Sequence, residues 1–280
     1  MENHTSKNDQ VSLQTAFGHN VQAGGKVKLA DAEIYYEIYG SGHPILFLHG
    51  NGQSINAFKN QIHEFAKSCK VIAVDTRGHG NSHDMSSGSL SYEMFAEDMR
   101  QLLDALKIHK TDILGWSDGA IIGIIMAINY PAYVNKLAVM GANIFPTPGA
   151  LKDIVFTYTQ ELIDDVKYRK DTQSVKQKRI YELLLQEPNL TFEELKNIKS
   201  PTLVMAGEND LIHEHHTKKI AENIPDSKLK IFKNADHYAP FFAKIQFNAA
   251  VMEFLQCLAC IVFLLQNDLT DCSLFEAVAI

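Results

Sequence analysis

The stretch Thr111–Ala120, TDILGWSDGA, decides how this chain is read. An apolar pair, Ile113-Leu114, leads into a serine, Ser117, held between Gly115 and Gly119, and an acid, Asp118, follows at once. The next residues, AIIGIIMAINYP, are nearly all apolar, as in a helix buried by a sheet and its neighbours, and Pro131 marks the end of that helix. A strand that runs directly into a helix must turn sharply, and the residue at the apex takes a strained backbone. Its neighbours two positions away must lack bulky side chains, which Gly115 and Gly119 satisfy. A serine N-cap with incidental glycines is the plainer alternative, but it leaves the apolar strand before and the apolar helix after without a reason.

Working outward, AEIYYEIYG (Ala32 to Gly40) alternates like a strand. Ile45–Leu48 and Val71–Asp75 read as short buried strands, the first ending at His49-Gly50 and the second in TRGHGNS. A helical pattern, Ala57 to Cys69, lies between them. A second helix carries Met94, Phe95, Met99, Leu102, Leu103 and Leu106 on one face. Further strands are expected at Lys136–Met140, Thr202–Ala206 and in KLKIFK, with the helix HTKKIAENI between the last two. Buried strands alternating with helices predict an α/β fold, a mostly parallel sheet flanked by helices on both faces. From 144 to 199 the strand signal vanishes and three amphipathic helical patterns take its place, which reads as a helical cap inserted at the rim of the sheet. The expected organisation is a loose N-terminal arm over 1–25, a core in two parts over 26–143 and 200–256, the cap between them, and an apolar extension over 257–280.

The 280 residues, 46% of them hydrophobic, suffice for one large domain with a continuous core. The net charge is −7 and no basic stripe is present, so nucleic acid is not an expected partner. The start, MENHTSKNDQ, lacks the pattern of a secretory signal. Four cysteines in a chain this long do not make a disulfide framework, and a reducing, cytoplasmic setting is expected. Cys257 and Cys260 have the spacing of half a metal site, but no second pair completes it, so they read as buried thiols. The apolar run Cys257–Leu265 falls well short of the roughly 20 residues of a spanning helix, and no membrane span is expected.

A serine hydroxyl is a poor nucleophile, so it must be activated and given a place for developing negative charge. The start of the helix after Ser117 offers free N–H groups and a favourable dipole, and the Asp118 N–H is one candidate oxyanion donor. The Asn51 N–H, in LFLHGNGQ, is the second. Activation needs an imidazole oriented by a carboxylate. Of twelve histidines, His237 follows the last strand in FKNADHYAP, where a loop can return to the serine. His49 and His79 lie in glycine-rich turns and are expected to bond the backbone there. The cluster HEHH, His213 to His216, fails the H-E-x-x-H template because Thr217 stands at the second ligand position, so a solvated loop is expected. For the acid, Glu208 and Asp210 both follow a strand. Asp210 is preferred for its longer reach toward His237, with Glu208 as a loop acid. The other position for an acid, after KLAVM, holds the uncharged Asn143. Ser117, Asp210 and His237 thus fall in that order at strand ends. Trp116, Asp118 and His49 are candidate substrate-binding residues; no metal or cofactor is required.

Together, LFLHGNG, VIAVDTRGHGNS, ILGWSDG, PTLVMAGEND and NADHYAP resemble the α/β-hydrolase superfamily with a helical cap, over about Lys26 to Gln256. The resemblance implies Ser117 as nucleophile, His237 as general base, Asp210 as the acid that orients it, and Asn51 and Asp118 as oxyanion-hole residues. Asp75 and Arg77 match a turn that is usually structural. Haloalkane dehalogenases and epoxide hydrolases carry an aspartate where Ser117 stands, and are excluded. GWSDG with KLAVMGAN is similar to the biphenyl-hydrolase-like group that includes valacyclovir hydrolase. In that group the acid after the serine is associated with the substrate's amino group; the plainer alternative is a first-turn acid that favours the helix N-terminus. The implied activity is hydrolysis of a small carboxylic ester. Enol-lactone or C–C bond hydrolysis, acyl transfer, α-amino-acid ester hydrolysis and a ligand sensor on a hydrolase body remain alternatives. The extension over 257–280 departs from the family. It either continues the last helix, packs on the body or forms a homodimer contact.

Overall fold

A computed structural model describes residues 16–256 of the chain. The expectations placed on 1–15 and 257–280, including the Cys257 and Cys260 thiols and the dimer contact, lie outside the described residues.

Nine strands form one sheet. They are β1 (Gly24–Lys28), β2 (Ala32–Tyr39), β3 (His43–Leu48), β4 (Cys69–Val74), β5 (His83–Asp84), β6 (Thr111–Trp116), β7 (Val134–Met140), β8 (Thr202–Gly207) and β9 (Ser227–Phe232). Their order is β1-β2-β4-β3-β6-β7-β8-β9, with the short β5 pairing to β2. From β4 to β9 every pairing is parallel, while β1, β2 and β5 join antiparallel at one edge. The mostly parallel sheet read from the sequence is therefore present, with strand ends within one or two residues of those expected.

Side chains alternate across the pleat and so divide between two apolar layers. Leu46, Leu48, Ile113, Leu137 and Val139 face one layer, with α2 (Tyr92–Ala105), α3 (Asp118–Asn129) and α6 (Glu214–Asn223). Ile45, Phe47, Leu114, Ala138 and Met140 face the other, with α1 (Lys59–Phe65), α7 (Ala239–Phe242) and α8 (Lys244–Leu255). Strand β6 is buried at all six positions because both layers close over it. The helix expected over Ala57–Cys69 is shorter than the pattern: a 3-10 turn (Ile55–Phe58) leads into α1, and Cys69 already opens β4.

Between β7 and β8 the chain forms α4 (Asp153–Val166), α5 (Thr172–Gln186) and a 3-10 turn, Glu194–Asn197. Ile180 and Leu183 of α5 and Leu195 of the turn belong to the layer that holds α2 and α3, so this helical insertion packs onto the body. Among the described residues no helix is long and apolar enough to cross a membrane.

Residues 16–25 correct the expectation of a loose arm. Phe17 is buried edge-on against Tyr39, and β1 already begins at Gly24. The tether is Glu37, a fully buried carboxylate on β2. It accepts hydrogen bonds from the Gly18 N–H (2.8 Å), the Asn20 N–H (2.7 Å) and the hydroxyls of Tyr35 and Tyr39 (both 2.7 Å). A polar segment without periodicity is held here by one side chain that satisfies four donors at once. Substituting Glu37→Leu leaves those donors unpaired and is expected to destabilise the fold by at least about 3 kcal/mol. Amide exchange at Gly18 and Asn20 should rise toward that of an exposed loop. Unchanged protection at those two amides would show that other contacts hold the segment.

Candidate active site

The site begins with a backbone that has no other comfortable path. Ser117 sits between the end of β6 and the start of α3 at φ 57° and ψ −118°, a region that residues with a side chain rarely enter. Its N–H donates to the Met140 carbonyl at 2.8 Å, which pins the apex to the end of β7. The flanking glycines are sterically required. A Cβ on Gly115 would overlap the Gly119 carbonyl, and one on Gly119 would overlap the Leu48 carbonyl at the end of β3. Gly50, in the loop after β3, approaches the serine so closely that a Cβ there would lie 3.0 Å from Ser117 Cβ. Ser117 is partly exposed while the residues around it are buried, so the hydroxyl lies at an opening.

His237 and Asp210 come together from two other strand ends. The loop after β8 carries Asp210, which is 1% exposed. One of its oxygens accepts the Gly207 N–H at 3.0 Å; the other accepts the Ile212 N–H at 3.1 Å and His237 Nδ1 at 2.7 Å. Burial works against the charge on Asp210, but the His237 bond and the two backbone donors outweigh it and hold the carboxyl below its ordinary range. With Nδ1 committed to Asp210, Nε2 is the ring nitrogen that remains for other contacts. The imidazole lies over Gly141, the residue after β7, where φ is +65° and a Cβ would stand 2.6 Å from His237 Cε1. The Ser117 hydroxyl makes no hydrogen bond to the ring among the described residues; such contacts commonly tighten only around bound substrate.

Trp116, expected at the substrate, serves the histidine instead. Its indole is buried, and Nε1 donates to the His237 carbonyl at 2.8 Å while the ring packs edge-on to Phe58 and Tyr238. An even position on β6 turns it to the layer that holds α1 and α8, away from the opening. His49 is likewise occupied: Nδ1 donates to the Gly50 carbonyl at 2.8 Å, and Nε2 accepts the Thr76 N–H at 3.1 Å. Burial pushes its pKa down to about 4. His79 bonds the Arg77 carbonyl as expected, and burial together with the neighbouring His49 pushes it down to about 3.

Asp118 and Asn51 form the opposite wall. Neither backbone N–H donates to a carbonyl among the described residues. The Asn51 side chain does more than the sequence suggests: its Nδ2 donates to Asp118 Oδ2 at 2.9 Å and to the Ile180 carbonyl of α5 at 3.1 Å. Asp118 is 3% exposed, not a solvated first-turn acid. The Tyr92 hydroxyl lies beside it, and that hydroxyl and Asp118 Oδ1 are both buried without a hydrogen-bond partner among the described residues. Burial raises the Asp118 carboxyl to about 6, against the pull of Asn51, Tyr92 and His237.

Arg77 confirms the structural turn. Its guanidinium is buried and forks onto Asp98 with two bonds of 2.7 Å, and also reaches Asp84 and Asp31. Asp75 accepts the Ile55 and Asn81 N–H groups at 2.8 Å each. Glu208 is a loop acid that accepts the Asn234 N–H. The HEHH segment departs from expectation. It opens α6, and His216 is buried against Phe145 and Phe192, accepting the Ile144 N–H at 3.2 Å. Burial there pushes its pKa down to about 4. Among the described residues no group of three or more His, Cys, Asp or Glu side chains is placed to hold a metal ion. Sequence reasoning missed Gly141 and the second role of Asn51. A glycine directly after a strand was the available signal for the first.

A family profile described as alpha/beta hydrolase fold matches residues 43–168. The chain is 29% identical to the serine hydrolase BPHL of Homo sapiens over 272 residues, covering 86% of this chain and 89% of that protein. It is 26% identical to a 2-hydroxy-6-oxononadienedioate/2-hydroxy-6-oxononatrienedioate hydrolase of Pseudomonas putida, covering 81% and 92%. The chain has the α/β-hydrolase fold. Among solved structures, the enol-lactonase of Burkholderia xenovorans LB400 superposes with a TM-score of 0.70 at 21% identity, over 83% of this chain and all of that one. Est816, described as an N-acyl homoserine lactone degrading enzyme, gives 0.70 at 25% identity, over 82% of this chain and all of that one.

The buried acid beside Ser117 has a thermodynamic signature. An aspartate near 3.8 in the unfolded chain and about 6 in the fold holds its proton longer when folded, so rising pH between those values removes stability. The shift corresponds to about 3 kcal/mol. Asp118→Asn keeps an acceptor for Asn51 and cannot ionise. It should gain up to that amount over the parent at pH 7.5 and progressively less toward pH 4.5 in urea unfolding. A difference constant across that window would show that Asp118 is not held neutral by burial.

Proposed function

We propose that the protein hydrolyses a small carboxylic ester through an acyl-enzyme, with Ser117, His237 and Asp210 as its catalytic residues. The observation that carries this reading is the 2.7 Å bond between Asp210 and His237 beside a serine at a strained strand–helix apex. In the first step the Ser117 oxygen attacks the carbonyl carbon while His237 Nε2 takes the hydroxyl proton. Asp210 stabilises the imidazolium through the Nδ1 bond, and the N–H groups of Asn51 and Asp118 hold the oxyanion. His237 then gives its proton to the leaving alcohol. A water molecule, deprotonated by the same nitrogen, attacks the acyl carbon and releases the acid and Ser117. We read residues 144–199 as a cap over this site.

An uncharged acyl group suits the site better than an α-amino acyl group. Asp118 Oδ2 is bonded to Asn51, and Oδ1 is buried beside Tyr92, so an ammonium would have to displace existing contacts. The relatives keep a second reading open. The Pseudomonas putida protein is named for a 2-hydroxy-6-oxo dienedioate and the Burkholderia structure for an enol-lactone. The same serine, histidine and oxyanion donors would serve that chemistry, with the difference residing in the pocket.

The test is turnover of p-nitrophenyl acetate and butyrate by the purified protein beside Ser117→Ala. Many turnovers per chain, lost by a factor of about 10³ or more in the variant, are expected. Asp210→Asn should lower kcat by about 10⁴ with the fold intact, because the imidazole loses the partner that fixes its tautomer. Equal rates in the parent and Ser117→Ala would sink the ester reading; lactones and C–C substrates would then be assayed on the same pair.

A further inference from the structure

The loop that carries the Asn51 N–H has little to hold it. Gly50 and Gly52 flank Asn51, and Gly52 has φ +67° with open space where a side chain would be. The loop's own bonds are all at Gly50: the N–H to the Gln53 side chain at 2.9 Å, and the carbonyl accepting the Gln53 N–H at 3.2 Å and His49 Nδ1 at 2.8 Å; among the described residues none is made by the Asn51 or Gly52 backbone. A chain flanked by glycines wanders unless a side chain fixes it. The Asn51 amide does this by spending both Nδ2 hydrogens, one on Asp118 Oδ2 and one on the Ile180 carbonyl. Asp118 belongs to the rigid core, whereas Ile180 belongs to α5 of the helical insertion. The amide is short, so fixing its plane fixes the backbone to which it is attached.

One residue before Ile180 stands the clamp that seats α5. Arg179 donates to the Ser86 carbonyl at 3.1 Å and the Ser86 hydroxyl at 2.8 Å, and also to the Gly88 carbonyl and the Asp84 carboxylate. Asp84 is itself held by the buried Arg77 at 3.2 Å. Arg179 therefore ties α5 to the β5 strand and the loop after it, and through Arg77 to Asp98 of α2. Beside this clamp lies a cavity of about 350 Å³, lined by Ser87, Ser89, Leu90, Glu182 and Gln186. The Arg179 fork and the buried side chains of Ile180 and Leu183 are the contacts that seat α5 here.

We propose that the Asn51 side chain is a positioning group that carries the seating of α5 to the oxyanion loop, with Arg179 as the clamp that sets that seating. The inference rests on the reading of the Asn51 N–H as an oxyanion donor. When α5 is seated, the Ile180 carbonyl and Asp118 together hold the amide, and the N–H points at the serine. When α5 lifts, the Ile180 bond is lost and the glycine-flanked loop relaxes. Opening of the insertion would then admit substrate and switch off oxyanion stabilisation together.

A double-mutant cycle tests this with p-nitrophenyl butyrate. Asn51→Leu keeps the side-chain size without donors and leaves the backbone N–H in place. Arg179→Ala releases the clamp from a position well removed from the serine, and Arg179→Gln replaces it if the alanine variant unfolds below the assay temperature. Each single variant should lower kcat about tenfold with KM changed less than about twofold, the size expected for a displaced donor. The double variant should fall no further than Asn51→Leu alone, because the clamp acts through the Ile180 bond that this variant has already removed. Multiplying losses of about a hundredfold, or unchanged kcat in either single variant, would overturn the coupling. Ser117→Ala runs alongside: if it abolishes activity while the cycle is multiplicative, the coupling alone fails. Activity that survives Ser117→Ala removes the catalytic reading and the coupling with it.

Discussion

Everything at this site depends on one strained residue. Ser117 at φ 57° costs on the order of 1–3 kcal/mol, and the surrounding structure must over-determine it for the conformation to persist. Three strands do so. The end of β7 takes the serine N–H through the Met140 carbonyl, the Leu48 carbonyl at the end of β3 presses against Gly119, and Gly115 on β6 fits beneath the Gly119 carbonyl. The apex can form only where three parallel strands end side by side. Sheet order and functional site are in that sense one feature: β3, β6 and β7 are consecutive neighbours.

The same strand ends recruit the rest. Gly141 follows β7, and its lack of a side chain makes the bed on which the His237 ring lies. Strand β8 delivers Asp210, whose carboxylate is fixed by two backbone N–H groups before it meets the imidazole. A buried carboxylate without such donors would be driven toward its neutral form, as Asp118 is. Burial opposes the charge on both acids, and what differs is how far hydrogen bonds and His237 offset it. Asp210 has three donors and lies below its ordinary range; Asp118 has one ordinary bond, from Asn51, and is raised to about 6.

Much of this was legible in the residues because local chemistry and fold agree. The two glycines around Ser117, the position of Asp210 past a strand and the place of His237 after the last strand are each tied to a backbone necessity. Backbone necessities leave marks in a sequence. What was not legible depends on which way a side chain turns. Trp116 was expected at the substrate because it neighbours the serine, yet the period of two along β6 sends it to the opposite layer, under His237. His216 lay in a polar cluster that reads as solvated, but the first turn of α6 rotates it inward between Phe145 and Phe192. Residues 16–25 carry no periodicity, and their order comes from Glu37, a side chain on β2 distant in sequence. No window of sequence contains both partners.

The acid beside the serine illustrates how position and role can separate. On a bare helix N-terminus, Asp118 would be a solvated acid favouring the dipole, or a receptor for an ammonium group. In the fold, α2 closes over it with Tyr92, and the loop after β3 reaches across with Asn51, so the carboxylate faces protein. An acid in such a place weakens the fold at neutral pH, and a neutral asparagine would hold Asn51 equally well by hydrogen-bond count. Burial sets the Asp118 pKa at about 6 against the pull of Asn51, Tyr92 and His237, so the fold tolerates the charge without pairing it fully.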